Sequence, residues 1–383
     1  MGIYLDYNAS APIDDRVLEK MVEVFRISYG NADSRTHEYG DNARKIVEEA
    51  RENVASLLGI EKNEVFFTSG ATESNNIAIQ GLREFGIKKN KKHLIVSAIE
   101  HKAVLEAAKS LCPYGFEIEI VYPNLSGRIN AKEVCSKVRS DTLLVSIMHV
   151  NNETGIIQPV EEIGEFLENK ETLFHIDATQ SFGKLVDELK YIKYDMLAMS
   201  AHKIGGPQGI GALILKRKRY RLPPVKPIMF GGAQEHGIRP GTLPVALIAG
   251  LGEACLIIKQ EYTVNNEKCK MIKRTLIELL DEAKLNYHLN GAQEYCVPST
   301  MNICIYGVSS EALMLASKQY CGISNGSACN SKEYVLSFVL KAMGIPDNEI
   351  ESSLRISWGP MIDMNKLKKE FSYLLEVAKR LLS

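Results

Sequence analysis

The sequence lacks an excess of charge of either sign and any apolar run long enough to cross a membrane. Its 46 Lys and Arg residues nearly balance 47 Asp and Glu residues, which leaves a formal net charge of −1. Without a basic excess, composition gives no reason to expect binding to nucleic acid or to a membrane surface. The most apolar window, residues 244–258, is too short for a transmembrane helix and contains Glu253. We therefore expect no membrane association and no direct contact with nucleic acid.

We expect neither a secretory leader nor a disulfide framework. The chain reaches Asp6 before any apolar stretch develops. Its eight cysteines are scattered with no CxxC pair, which argues against a disulfide framework and against a zinc or iron–sulfur ligand set. We expect scattered cysteines of this kind in the reducing cytoplasm. We expect no metal site. Cys329 differs from the others because its neighbours in Ser324-Asn-Gly-Ser-Ala-Cys-Asn-Ser-Lys-Glu333 are mostly small or polar, which makes its thiolate a candidate nucleophile.

What the sequence does contain is a long alternation of apolar strand patterns and helix patterns. A chain of 383 residues is too long for one simple core, so two domains are expected. The alternation predicts an α/β fold whose mostly parallel, seven-stranded sheet is covered on both faces. A smaller α+β domain follows, beginning with a long charged helix from Glu261 to Leu285. We predict an N-terminal segment over 1–15 that packs with the small domain, a large domain over 16–258 and the small domain over 259–383.

Polar residues follow several of the predicted strands, and ligands of parallel sheets bind at that edge. The stretch Thr68-Ser-Gly-Ala-Thr-Glu-Ser-Asn75 lies directly between a predicted strand and a predicted helix. Free backbone N–H groups at the start of the helix, at Ala71, together with the Thr72 hydroxyl, suit a phosphate group. The alternative is an ordinary helix cap with Glu73 as its capping-box acid.

Three further polar motifs come after other strands. His101 either lies flat on a planar ligand or is ordinary polar surface. Asn152 either orients a substrate or belongs to a turn. Asp177 ends another strand, where a carboxylate can keep a ring nitrogen protonated. Gln180 shares the face of Asp177 if a helical turn follows that strand.

Lys203 lies in the small-residue loop Ser200-Ala-His202-Lys-Ile-Gly-Gly. A lysine held against a pocket wall and partly desolvated is nucleophilic towards carbonyl compounds, and the alternative is a solvent-facing loop lysine. Together the motifs supply a phosphate site, a stacking ring, a carboxylate for a ring nitrogen and an imine-forming lysine. This set matches pyridoxal 5'-phosphate (PLP). In the small domain, Arg355 either pairs with a substrate carboxylate or is a surface strand arginine.

Taken together, these motifs resemble the class V PLP enzymes of fold type I, and among them the NifS/IscS-like cysteine desulfurases. The resemblance covers nearly the whole chain, and the motifs occur in the order that the family has. They are Tyr4-Leu-Asp-Tyr-Asn8, Thr68-Ser-Gly-Ala-Thr-Glu-Ser-Asn75, Glu100-His101, Asn151-Asn-Glu-Thr-Gly155, Asp177-Ala-Thr-Gln180, Ser200-Ala-His-Lys203, Arg239-Pro-Gly-Thr242 and Gly326-Ser-Ala-Cys329.

The resemblance implies a role for each matching residue. Lys203 is implied to be the Schiff-base lysine, and Cys329 the nucleophile that takes the substrate sulfur. The implied partners of the cofactor ring are His101, which stacks on it, Asp177 at the pyridinium nitrogen and Gln180 at the phenolic oxygen. The implied phosphate ligands are Ala71, Thr72, Ser200 and His202, joined by Thr242 of the partner subunit. Arg355 and Asn152 are implied to bind the substrate carboxylate.

The implied reaction converts L-cysteine to L-alanine and leaves a persulfide on Cys329, which passes its sulfur to an acceptor protein. The shared phosphate site implies a homodimer. The segment from Cys329 to Gly344 is as long as in the group that contains NifS and IscS. The alternatives are a selenocysteine lyase or another class V aminotransferase, against which the Gly-Ser-Ala-Cys context argues, and a PLP-fold protein that serves only as a binding platform.

Two features depart from the family pattern. Asn31-Ala-Asp-Ser34 stands where the family has Asn-Pro-Ala-Ser, a difference that we interpret as structural. The sequence ends at Ser383, just after its last predicted helix, whereas housekeeping members have a longer C-terminal tail that contacts the iron–sulfur scaffold. This ending argues against sulfur delivery to the iron–sulfur scaffold. It favours a dedicated acceptor, in tRNA thiolation, nitrogenase assembly or DNA phosphorothioation.

Overall fold

The computed structural model describes residues 2–218, 220–326 and 336–382. Its strands are β1 (Ile3–Tyr4), β2 (Val65–Thr68), β3 (His93–Ser97), β4 (Glu117–Val121), β5 (Thr142–Met148), β6 (Leu173–Asp177), β7 (Met196–Ser200), β8 (Gly211–Leu215), β9 (Tyr287–Leu289), β10 (Thr300–Ile305), β11 (Cys321–Gly322) and β12 (Ser353–Ser357). Its helices are α1 (Asp15–Ile27), α2 (Glu38–Leu58), α3 (Ala71–Gln80), α4 (Arg83–Lys89), α5 (Lys102–Lys109), α6 (Ala131–Ser136), α7 (Val160–Leu167), α8 (Val186–Tyr191), α9 (Val245–Ala283), α10 (Ser310–Ser317), α11 (Phe338–Ala342), α12 (Asp347–Glu351) and α13 (Met364–Leu382).

A seven-stranded sheet with the strand order β2-β8-β7-β6-β5-β3-β4 forms the centre of the molecule. β8 is antiparallel to both of its neighbours, and the other pairs are parallel. Every residue of β2, β3, β5, β7 and β8 is buried, as expected for a sheet with helices on both faces. The predicted α/β fold with a mostly parallel seven-stranded sheet is confirmed.

Alternate residues of these strands point into two hydrophobic clusters, one on each face of the sheet. On one face, helices α2, α7 and α9 contribute side chains such as Val54, Ile163 and Leu251. On the other face, α3 and α5 contribute side chains such as Ile77 and Val104. Both faces of the sheet are therefore covered by apolar side chains. The polar side chains that follow the strands lie at the carboxyl edge.

The long helix α9 has 39 residues and begins at Val245, so the prediction that it begins at Glu261 was wrong. Its first half is buried almost all round and packs against α1 and α2, and a helix of that kind carries no amphipathic pattern. A Cβ atom on Gly252 would lie 2.7 Å from Ala50 Cα. Gly252 lowers the helix propensity of this segment, but its missing side chain allows α2 to pack closely against α9.

The rest of the chain builds a second, smaller layer. β12, β10 and β9 form an antiparallel sheet, on which α13 and the second half of α9 pack. β1 pairs in parallel with β11, and Ile3 and Leu5 join the same hydrophobic cluster. The beginning of the chain is thereby held beside the large sheet's carboxyl edge. The described part of the chain contains no helix with the length and hydrophobicity of a transmembrane span.

Candidate active site

A cavity of about 540 Å³ opens at the carboxyl edge of the large sheet, below the small layer. Predicted site residues from six different motifs line it: Ala71, Thr72, His101, Asn152, Asp177, Gln180, Ser200, His202, Lys203 and Arg355. These residues face one cavity although Ala71 and Arg355 are 284 positions apart in the sequence. They meet because most of the strands that carry them are parallel neighbours. Two predicted residues remain, Thr242 and Cys329, and they are described separately below.

The start of α3 forms one wall of the cavity. Gly70 precedes the helix with φ of 149°, a conformation that only glycine adopts readily. A Cβ atom at Gly70 would lie 3.5 Å from Ser200 Oγ, so the missing side chain leaves the wall open towards that hydroxyl. The first N–H groups of a helix have no partner within it. Together with the Thr72 and Ser200 hydroxyls, they suit a phosphate group.

His202 lies beside this wall in the turn after β7. Burial, with the neighbouring Lys203 charge, lowers the pKa of His202 to about 4, so its imidazole is neutral near pH 7. Its Nδ1 lies 3.4 Å from Ser10 Oγ. A neutral imidazole remains a hydrogen-bond donor, which is the contribution that a phosphate oxygen requires.

Asp177 ends β6 at the floor of the cavity and is 4% exposed. Asn75 Nδ2 donates to its Oδ2 over 2.8 Å, and the Thr179 backbone N–H donates to its Oδ1 over 3.0 Å. Two donors hold the carboxylate in place, and both of its oxygens keep lone pairs for a further donor. Thr179 Oγ1 and Asn75 Oδ1 are buried without a hydrogen-bond partner in the described part of the chain. Such unpaired groups indicate that a polar ligand belongs in this space.

His101 is the N-cap residue of α5, and its ring lines the cavity. The Ala103 backbone N–H donates to His101 Nδ1 over 3.1 Å, so a neutral ring carries its proton on Nε2. Partial burial lowers the pKa of His101, and the Lys203 charge acts in the same direction. His101 therefore presents a neutral imidazole that is suited to stack on a ring and to exchange a proton.

Glu100 precedes His101 in the chain and is fully buried, and its sequence neighbourhood predicts no role for it. Its Oε1 accepts hydrogen bonds from Ser97 Oγ over 2.5 Å and from the Met148 backbone N–H over 2.8 Å. Burial raises the pKa of Glu100 to about 8. A protonated carboxyl here ties the turn that carries His101 to β5, and its position next to a histidine was the only signal in the sequence.

The N-terminal segment supplies a second set of residues that sequence reasoning missed, centred on Asn8. Lys203 Nζ donates to the carbonyl oxygens of Asn8 over 2.7 Å and Ala9 over 2.6 Å. Gln180 Nε2 donates to the same Asn8 carbonyl over 3.0 Å. Lys184 Nζ donates to Gln180 Oε1 over 3.0 Å and to Asn8 Oδ1 over 3.3 Å. Burial, followed by the Lys203 charge, lowers the pKa of Lys184 to about 8.

Arg355 enters the cavity from β12 of the small layer, and it is buried rather than a surface arginine. Its Nη1 donates to the Asn152 carbonyl over 3.0 Å, and its Nη2 pairs with Asp6 Oδ1 over 2.7 Å. Its Nε is buried without a partner among the described residues. The guanidinium is thus held in a fixed direction, with donor capacity left for a carboxylate.

Cys329 lies outside the described residues. On the near side of it, Gly326 lines the cavity, and a Cβ atom there would lie 2.6 Å from Glu153 Oε2. On the far side, Ser337 Oγ donates to the same Glu153 Oε2 over 2.5 Å. Gly326 and Ser337, which flank this segment, therefore both lie against one buried carboxyl group next to Asn152.

Thr242 is exposed and does not line this cavity. It follows Arg239, whose Nε pairs with Glu73 Oε1 over 3.0 Å and so ties its loop to the first turn of α3. That Thr242 reaches the phosphate site of the partner subunit stays a prediction.

The sequence and the fold are similar to those of known proteins along nearly the whole chain. Residues 3–369 match the family model described as Aminotransferase class-V. Cysteine desulfurase IscS of Pectobacterium carotovorum subsp. carotovorum (strain PC1) is 42% identical over 383 residues, covering 99% of this chain and 92% of that protein. A NifS-like protein of known structure has a TM-score of 0.90 at 34% identity, covering 99% of this chain and 100% of that one. The structure of SspA in complex with cysteine has a TM-score of 0.81 at 36% identity, covering 93% of this chain and 99% of that one.

Proposed function

Because this chain belongs to the class V aminotransferase family, which depends on PLP, we propose that it converts L-cysteine to L-alanine and transfers the sulfur to Cys329. The observation that carries this proposal is the cavity, where groups suited to a phosphate, a protonated ring nitrogen and a carboxylate line one space. The relative named cysteine desulfurase IscS supports the reaction. The neighbouring structure of SspA with cysteine supports the substrate.

The donors and acceptors of the cavity fit PLP. Its phosphate would be held by the α3 N-terminus with Thr72, Ser200 and His202, its ring nitrogen by Asp177 and its phenolic oxygen by Gln180. The unpaired buried Thr179 Oγ1 is consistent with a polar ligand at that end of the site. When bound, PLP supplies an electron sink for bonds at the substrate α-carbon.

Lys203 would supply the amine that holds the cofactor, and His101 would transfer protons. Lys203 lies in the turn after β7 and lines the cavity, and its Nζ donates to the Asn8 and Ala9 carbonyl oxygens. Its Nζ is the amine that would hold the cofactor. His101, with a neutral ring whose Nδ1 is occupied by a backbone donor, would carry protons at Nε2.

Arg355 and Asn152 would bind the substrate α-carboxylate, with the unpaired Nε of Arg355 as a further donor. The Cys329 thiolate would then attack the substrate sulfur. An S–S bond forms while the Cβ–Sγ bond of the substrate breaks, and the carbon keeps the bonding pair and takes up a proton to give alanine. The persulfide remains on Cys329.

The test is to incubate the holoenzyme with L-cysteine and a thiol reductant and to measure alanine and sulfide. The wild-type protein should produce both in equal amounts, and Cys329→Ser should retain PLP but produce neither. Cys112→Ser, which changes an exposed cysteine outside the cavity, should behave like the wild type. Absence of alanine from the wild type would overturn the proposed reaction, and full activity of Cys329→Ser would overturn the role of Cys329.

We further propose that the enzyme is a cytoplasmic homodimer that delivers sulfur to an acceptor protein, with Thr242 of each subunit reaching the cofactor phosphate of the other. The exposure of Thr242 and the ion pair of Arg239 with Glu73 at the phosphate wall support this arrangement. Light scattering should give twice the mass of the chain, and Thr242→Ala should release PLP more readily than the wild type. A monomer in solution would contradict the shared site.

A further inference from the structure

A cluster of metal-binding side chains lies in the small layer, outside the cavity. His288 and Cys304 are directly opposite each other on the antiparallel strands β9 and β10. Glu349 of α12 lies over the same face, and His288 Nε2 is 3.6 Å from Glu349 Oε2. One ligand atom from each of the three residues lies within 4.8 Å of the other two. An imidazole, a thiol and a carboxyl group therefore converge on one point.

Asn290 orients the His288 ring of this cluster. Its Oδ1 lies 2.9 Å from His288 Nε2. Its Nδ2 donates to Asn302 Oδ1 over 2.7 Å and to Ser353 Oγ over 2.9 Å, and these two contacts fix the amide with its oxygen towards His288. Outer contacts of this kind orient the ligands in known metal sites.

We propose that His288, Cys304 and Glu349 bind a zinc ion, with water in the fourth position. A nitrogen, a sulfur and a carboxylate oxygen are donors that Zn²⁺ accepts in a four-coordinate site. With bonds of about 2.0–2.3 Å, a tetrahedral zinc holds its ligand atoms roughly 3–4 Å apart, so small side-chain rotations close the cluster. The thiolate and the carboxylate balance the charge of the ion.

The cluster is accessible and its occupation has a structural effect. The side chains of His288 and Glu349 are 34% and 25% exposed, so an ion can enter between them, while Cys304 is fully buried at the back. Binding releases the proton of the Cys304 thiol. The bound ion links the β9–β10 pair to α12, so it should raise the melting temperature of the protein.

This cluster could not be predicted from the sequence, because no CxxC pair or other short ligand spacing marks it. Short ligand spacings are the signal of sequence-local metal sites, whereas these donors come from two strands and a helix between residues 288 and 349. Cross-strand register and the packing of α12 bring them together, and neither is visible in spacing.

The experiment uses the full-length, PLP-loaded protein with Cys329→Ser, which removes the other candidate thiolate. Zn²⁺ is titrated in competition with a chromogenic chelator, and Co²⁺ serves as a spectroscopic substitute. We expect one zinc per chain and a thiolate-to-cobalt charge-transfer band. Cys304→Ser should abolish the band, and His288→Gln and Glu349→Gln should each weaken zinc binding about tenfold or more.

Cys321→Ser is the matched control, since Cys321 is also buried in the small layer but its Sγ faces the Glu370 carbonyl oxygen. It should keep both the zinc affinity and the cobalt band. Far-ultraviolet circular dichroism establishes that each variant is folded. If Cys304→Ser fails to fold, His288→Gln decides the question, because its side chain is partly exposed. No zinc uptake, or equal affinity in folded Cys304→Ser or His288→Gln, overturns the site.

Discussion

Lys184 fixes the orientation of the Gln180 side chain. An ammonium group only donates hydrogen bonds, so the contact of 3.0 Å between Lys184 Nζ and Gln180 must involve the amide oxygen. The amide nitrogen of Gln180 then faces the N-terminal segment, where one of its hydrogens is donated to the Asn8 carbonyl oxygen. Its second hydrogen is left for a ligand. A lysine outside the cavity lining thus sets which end of Gln180 a cofactor oxygen would meet.

Lys184→Met should therefore weaken PLP binding. Methionine keeps much of the volume of lysine but donates no hydrogen bond, and one hydrogen bond from a charged group is worth about 1.5–3 kcal/mol. We expect the dissociation constant of PLP, measured by equilibrium dialysis, to rise roughly tenfold or more. Lys190→Met, at a partly exposed lysine of α8, is the control. An unchanged dissociation constant in folded Lys184→Met would show that Lys184 does not position Gln180.

Arg355→Lys should raise the KM for L-cysteine by about tenfold or more, because an ammonium cannot reproduce two-point binding of a carboxylate. Steady-state alanine formation gives the measurement. Arg139→Lys is a matched control, because Arg139 also forms ion pairs with two carboxylates, Glu117 and Asp141, but does so on the surface. If Arg355→Lys keeps the wild-type KM, Arg355 does not bind the substrate.

Glu100 should make the stability of the protein depend on pH. Burial raises its pKa from 4.5 to about 8, so between these values the folded protein keeps a proton that the unfolded chain releases. The free energy of unfolding therefore falls as pH rises through this window, by up to about 1.4 kcal/mol per pH unit. Glu100→Gln resembles the protonated form and should remove this contribution.

Thermal unfolding of wild type and Glu100→Gln between pH 5 and 8 tests this dependence. The difference in melting temperature, Glu100→Gln minus wild type, should become more positive as pH rises. Glu106→Gln, at an exposed carboxylate of α5, should show no such trend. A difference between Glu100→Gln and wild type that stays constant from pH 5 to 8 would contradict a proton held on Glu100.

Lys203 should be the residue that carries PLP covalently. Reduction of the PLP-loaded protein with borohydride should fix the cofactor on the peptide that contains Lys203, as read by mass spectrometry. Lys203→Ala should carry no such label. Lys184→Met at saturating PLP should keep it, which separates the two neighbouring lysines. A label on any other peptide of the wild-type protein would refute the assignment.

The sequence alone predicts much of the large sheet and the part of the site that belongs to it. Strands such as β5 are mostly apolar because both faces are buried, and Asp177 and Ser200 stand out as polar groups at the ends of such strands. Their shared edge follows from parallel pairing. The start of α9 could not be predicted in this way, because a helix buried all round shows no periodic polar face.

The supporting contacts of the site could not be predicted from local pattern. Asp6, which pairs with Arg355, is 349 positions away from it. Asn8 meets Gln180 and Lys203 only because β1 pairs with β11 and brings the beginning of the chain to the cavity. Such contacts follow from tertiary packing, and a single sequence contains no spacing that encodes them.

The unbroken course of α9 couples the two layers of the molecule thermodynamically. At 1.5 Å per residue, its 39 residues form a rod of roughly 58 Å. One half packs against α1 and α2, and the other against the small sheet. Melting one layer alone would leave a helix–coil boundary inside this rod, with half of its packing lost. We therefore expect calorimetry to show one cooperative transition for the two layers, even if they are separate domains divided at residue 258.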